Sequence, residues 1–310
     1  MPLLSVLLAL IGACGSTPPR LTGDGCPALV PGAEAGTVDV GDARLHVSVL
    51  GPTAAPPVVL LHGFPETGAT WRAVAVDLAT DHRVVVPDLR GAGCSSFAPP
   101  GTDAYDTRSL AGDLAGLTSA LALSGVTVVG HDLGAMTAVA WARARPDQVA
   151  RLVLSGGGVP GFGLAELGPP HLRTFGDAPP GAVERAVGDD VPRFLADFTR
   201  TPAFPLAEAV AAYTPPGRLD AAMGRYRALP RDAETNRAEA CGGPPESAAC
   251  SGPRPLRAPV LVVSGGAPDL TVPTVTPLAP DRRVVVVPDA GHYVLVEQPA
   301  AFAAAMRAFR

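Results

Sequence analysis

The sequence predicts an α/β protein: a doubly wound, mostly parallel sheet with an inserted helical cap. Three observations predict it. Short β-branched or aliphatic runs recur, and several, such as Pro57 to Leu61 and Pro259 to Val263, are apolar almost throughout, as strands covered on both faces must be. Amphipathic stretches of helical period separate these runs. The alternation then stops for about 100 residues, Gly156 to Pro255, before the strands resume.

The chain opens on an apolar run, Leu3 to Ile11, too short to span a bilayer, followed by Ile11-Gly12-Ala13-Cys14. Small residues before a Cys resemble a bacterial lipoprotein signal. Residues 1–14 are therefore expected to be a signal segment, with Cys14 lipidated and the protein exported and anchored to the cell envelope. The alternative is a plain secretory signal. Residues 15–36, rich in Pro and Gly, read as a tether. Core residues are expected at 37–155 and 256–310, and the cap at 156–255.

Strands are expected at Leu45 to Leu50, Pro57 to Leu61, Arg83 to Val86, Val126 to Val129, Leu152 to Leu154, Pro259 to Val263 and Arg283 to Val287. Core helices are expected at Trp71 to Ala79, Ser109 to Leu123, Ala135 to Ala144 and Pro299 to Phe309. Cap helices are expected at Ala182 to Val187, Val191 to Thr199, Leu206 to Tyr213 and Arg218 to Leu229, with Pro-rich breaks between them.

Composition excludes some functions. The net charge is −5, and all 24 basic residues are Arg without a basic cluster, so nucleic-acid binding is not expected. The 35 Gly and 35 Pro show no Gly-X-Y period, which excludes a collagen helix. Cys26, Cys94, Cys241 and Cys250 form an even set, and export favours disulfides. Cys241 and Cys250 flank a Gly/Pro/Ser/Ala loop and are the favoured pair, worth roughly 2–3 kcal/mol on the chain-entropy account. Cys26 with Cys94 then follows by elimination, and four free thiols are the alternative. No Cys or His spacing suggests zinc, and no metal or cofactor is expected.

The chemistry concentrates at Gly130-His131-Asp132-Leu133-Gly134. These residues follow the Val126 to Val129 run and open a helical pattern: strand, sharp turn, helix, with a polar residue at the apex. The pattern resembles the G-x-S-x-G nucleophile elbow, with Asp132 in place of Ser. The bland reading of Asp132 is a helix N-cap. Together with His62-Gly63-Phe64-Pro65-Glu66-Thr67, Thr70-Trp71-Arg72, Pro87-Asp88-Leu89-Arg90-Gly91-Ala92-Gly93 and Gly291-His292-Tyr293, the chain over residues 40–310 resembles the α/β-hydrolases of the epoxide hydrolase and haloalkane dehalogenase branch, most of all bacterial epoxide hydrolases.

An aspartate, with a reference pKa of about 3.9, is ionised at neutral pH and can attack a saturated carbon, forming an alkyl ester on the enzyme. The resemblance implies that His292 then activates water to hydrolyse that ester. It also implies that the backbone N–H groups of Phe64 and Leu133 hold the oxyanion. The family places the acid partner of His292 in one of two positions. After the strand that follows the elbow helix, bacterial relatives carry Glu, but this chain reads Ser155-Gly156-Gly157. After the next core strand it reads Ser264-Gly265-Gly266-Ala267-Pro268-Asp269, so Asp269 is the expected acid, with Glu166 as fallback and a loop-capping role as the bland alternative. Arg225-Tyr226-Arg227-Ala228 resembles the segment bearing the ring-opening Tyr, and His171 falls where some exported relatives carry the second donor. Tyr226 also reads as a core aromatic. Trp71 and Trp141 read as packing residues, and Tyr213 as a residue that could line a pocket.

The expected reaction is hydrolysis of a small apolar epoxide, by water, to a vicinal diol. Dehalogenation by the same Asp132 and His292 is the second reading. Leu133 disfavours it, because many dehalogenases carry a halide-holding Trp directly after the nucleophile. A non-catalytic surface protein on the same scaffold is the third.

Overall fold

The computed structural model describes residues 21–23, 25–99, 103–242, 252–266 and 269–309. The expected signal segment, Cys14 and Cys250 lie outside the described residues.

Eight strands form one sheet in the order β1-β2-β4-β3-β5-β6-β7-β8. They are β1 (Glu34–Asp39), β2 (Arg44–Leu50), β3 (Pro57–Leu61), β4 (Arg83–Pro87), β5 (Val126–His131), β6 (Val149–Ser155), β7 (Val260–Ser264) and β8 (Arg283–Val286). β1 pairs with β2, and β2 with β4, antiparallel; the remaining pairs are parallel. Alternation within single strands explains the apolar runs. On β3, Val59 and Leu61 pack into one core and Val58 and Leu60 into the other. The first core is closed by α2 (Thr107–Ala120) and α3 (Leu133–Ala144), with Trp141 at its centre. The second is closed by α1 (Arg72–Leu78) and the C-terminal α13 (Pro299–Arg307), with Trp71 edge-on to Phe302. Both tryptophans are fully buried packing residues.

Between β6 and β7 the chain forms α4 (Leu164–Leu167), α5 (His171–Gly176), α6 (Ala182–Val187), α7 (Val191–Thr199), α8 (Leu206–Tyr213), α9 (Arg218–Arg227) and α10 (Leu229–Cys241). Their apolar faces form a third core with Phe64, Leu133 and Met136 from below. The short α11 (Thr271–Val275) and α12 (Val294–Glu297) complete the chain. Helix α10 was not expected as an element of its own. The expected helix ended at Leu229, before Pro230, whereas Pro230 occupies the first turn of α10, where its missing N–H costs nothing.

The tether is corrected. Strand β1 begins at Glu34, inside the expected tether, and Val30 is fully buried beside Leu29, whose N–H donates to Ser48 Oγ at 2.8 Å. Thr22 bridges Thr37, and Cys26 is disulfide-bonded to Cys94. Short polar EAGTVD carries no apolar run, so only its pairing with β2 makes it a strand. Cys241 is also disulfide-bonded. Among the described residues no helix is long and apolar enough to cross a membrane, and no cluster of His, Cys, Asp or Glu has the geometry to hold a metal.

Candidate active site

Asp132 stands at the turn from β5 into α3 with φ 51° and ψ −124°. Such a backbone is costly for a residue with a Cβ, and close packing around three glycines fixes it. A Cβ on Gly130 would lie 2.5 Å from the Gly134 carbonyl, one on Gly134 2.4 Å from the Leu61 carbonyl, and one on Gly63 2.3 Å from Asp132 Oδ1. The turn presents the Asp132 carboxylate to a cavity of about 780 Å³ between sheet and cap, which Phe64, Met136, His171, Asp269 and His292 also line.

The expected residues converge unevenly. The Phe64 N–H donates to Asp132 Oδ1 at 3.0 Å. Leu133 begins α3, so its N–H has no partner within the helix. His292 Nε2 lies 3.7 Å from Asp132 Oδ2. The imidazole is 42 % exposed and lines the cavity. Burial, and then the charge of neighbouring His131, hold His292 below the usual imidazole range against the pull of Asp132.

Asp269 shares the cavity wall with His292, but no ion pair or hydrogen bond joins them among the described residues. Its Oδ1 accepts from the Thr271 N–H at 2.6 Å, which is the loop-capping contact, and its Oδ2 is buried without a partner. The fallback, Glu166, is corrected: it is solvent-exposed on α4 and absent from the cavity wall. In the segment Leu154 to Pro160, where the expected Glu is absent, Gly156 has φ +64°, and a Cβ there would meet His131 Nε2 at 2.7 Å and His292 Cε1 at 3.0 Å. A side chain at Gly156 would therefore be strained.

Tyr226 and His171 come together from the cap. Their ring centroids are 6.0 Å apart, and both rings pack on Phe175. Tyr226 is only 1 % exposed, and its phenol bonds no described residue. Burial, then the Asp132 carboxylate, push its pKa well above the usual phenol value. Burial lowers His171, against the charge of Asp132. Tyr213 does not line the cavity; its hydroxyl donates to the Glu66 carbonyl at 2.8 Å.

One feature escapes sequence reading. Beneath the cavity, His131 Nδ1 meets Glu66 Oε2 at 2.9 Å, and both side chains are fully buried. Glu66 Oε2 also accepts from the Gly63 N–H at 2.6 Å, and His131 Nε2 bonds the His292 carbonyl at 2.9 Å. Burial opposes the imidazolium, but Glu66 and then Asp132 outweigh it and push His131 up to about 9. A charged His131 therefore lies under His292, ring centroids 4.7 Å apart. Glu66 and His131 each stand inside a recognisable motif, but nothing in their spacing joins positions 65 residues apart.

Comparisons with known proteins agree with this architecture. The family model described as "alpha/beta hydrolase fold" matches residues 56–299. A protein named epoxide hydrolase 2 from Siraitia grosvenorii is 40% identical over 118 residues, 38% of this chain and 36% of its own length. A fluoroacetate dehalogenase from Burkholderia sp is 38% identical over 125 residues, 40% of each chain. The aligned part thus spans well under half the length of these curated relatives. The solved structure of epoxide hydrolase CorEH superposes with a TM-score of 0.76 at 26% identity, covering 89% of this chain and 97% of that one. With the elbow, the sheet order and the family match in agreement, this chain belongs to the α/β-hydrolase fold family.

Proposed function

We propose that this protein hydrolyses epoxides to vicinal diols through an alkyl-ester intermediate on Asp132. The observation that carries the reading is that His171 of the cap faces the elbow carboxylate across one cavity, with buried Tyr226, itself not on the cavity wall, packed against His171 and within electrostatic reach of Asp132. An Asp132 oxygen attacks a ring carbon as the ring C–O bond breaks, and the departing electron pair takes the Tyr226 proton, with His171 as the second donor. His292 then removes a proton from water, whose oxygen adds to the Asp132 carboxyl carbon. The oxyanion is held by the Phe64 and Leu133 N–H groups. The His292 proton goes to the leaving alkoxide, and the proton left on the Asp132 carboxyl restores Tyr226. Asp269 is the carboxylate assigned to orient His292, since its buried Oδ2 has no other partner and both residues line the cavity.

The test is trapping. His292→Gln, incubated with styrene oxide, should accumulate a covalent adduct on the peptide holding Asp132, seen by mass spectrometry. The likeness to a fluoroacetate dehalogenase supports one other reading, hydrolysis of a halide. An adduct with haloalkanes but with no epoxide would establish it in place of the first, and no adduct with either would leave a non-catalytic scaffold. The Cys26–Cys94 disulfide supports export to an oxidising compartment. Fatty-acid labelling lost in Cys14→Ser would support the lipid anchor, and labelling that persists would refute it.

A further inference from the structure

Arg225 precedes Tyr226 on α9 and is only 5 % exposed. Its Nε and Nη2 are buried with no partner, and no carboxylate pairs with the guanidinium among the described residues. A buried unpaired cation costs several kcal/mol, whereas the other deeply buried arginine, Arg90, forks onto Asp113 and Asp42. Arg225 sits at the seam between cap and core. With Leu133, Met136 and Thr137 of the first turns of α3, it lines a small cavity of about 10 Å³. Met136 also lines the main cavity with Asp132, so the two cavities meet on the same residue at the start of α3.

We infer that Arg225 is a positioning residue for ring opening: its buried cation sets the field in which the Tyr226 phenol gives up its proton opposite Asp132. The inference rests on the proposed function. Asp132, Glu66, Tyr213 and Tyr226 all feel the charge. On Tyr226 it counters burial and Asp132, and on buried His62 it disfavours the imidazolium. Asp232 of α10 shares the small cavity; its Oδ1 is taken by the Thr107 N–H and hydroxyl, and its Oδ2 is buried without a partner. No carboxylate is hydrogen-bonded or ion-paired to the guanidinium among the described residues. During alkylation negative charge spreads from Asp132 onto the ring oxygen and then onto the phenolate. A fixed buried cation on the neighbouring residue of α9, within electrostatic reach of the phenol, favours that redistribution without reorganising.

The experiment uses the full chain with His292→Gln, so that only alkylation by styrene oxide is timed. Adding Arg225→Met should slow adduct formation by roughly 10–100-fold, the scale of a general acid weakened but not lost, and should raise the solvent isotope effect on that step. Adding Arg225→Lys instead, which keeps the charge, should restore most of the rate. An unchanged rate in Arg225→Met would overturn the inference. So would a folded Arg225→Lys variant as slow as the Met variant, because shape rather than charge would then matter. If the His292→Gln parent forms no adduct with any epoxide, the proposed function itself falls and takes the inference with it.

Discussion

Replacing Glu66 by Gln should destabilise the fold in a pH-dependent way that can be worked out in advance. His131 titrates near 6.5 when unfolded and at about 9 in the folded protein. Each pKa unit is about 1.4 kcal/mol, so the charge on His131 contributes about 3 kcal/mol to stability. No discount for solvent applies, since both partners are fully buried. The sign follows from the direction of the shift. A folded pKa above the unfolded value gives stability that is whole below pH 6.5 and lost as pH rises through about 9. The neutral amide of Glu66→Gln would remove the charge that holds the imidazolium, so the variant should lose that increment at pH 6.5 but only a small amount of stability at pH 10. For a chain of this size, roughly 2–4 °C per kcal/mol gives a drop of about 6–12 °C in melting temperature at the lower pH. Thermal unfolding followed by circular dichroism at both pH values measures it. Equal losses at pH 6.5 and pH 10, or no loss at all, would refute a charged His131.

Other outcomes follow from the same geometry. Tyr226→Phe in the His292→Gln background should slow adduct formation by roughly 10–1000-fold; an unchanged rate would mean another group donates the proton. Because burial and charged His131 hold His292 low, hydrolysis of the intermediate should keep more than half its rate as pH falls to 6.5. Single-turnover kinetics showing half the rate already lost at pH 7 would contradict this. Gly63→Ala should abolish turnover by displacing Asp132 Oδ1; a crystal structure with Asp132 unmoved and activity retained would oppose this account. Cys94→Ser opens a bridge between residues 68 apart in sequence and should cost about 4 kcal/mol on the chain-entropy account, measured by denaturant unfolding under non-reducing conditions.

Much of this was legible in the sequence because it is local. Apolar runs located seven of the eight strands to within a few residues at their ends, and period-3.6 patterns gave the cap helices α6, α7 and α8 their observed bounds. The turn from β5 into α3 was readable from two glycines and an apical Asp, since steric limits on φ act within a few residues. Strand β1 and helix α10 were not, because their residues carry no strong period and take their form from neighbours. The tertiary structure alone decided which groups became charged or orphaned. It made any side chain at Gly156 strained, bonded Asp269 to the Thr271 N–H rather than to His292, joined Glu66 to His131 and buried Arg225 without a partner. Those outcomes depend on desolvation and on distances between segments far apart in the chain, and neither is written in local residue order.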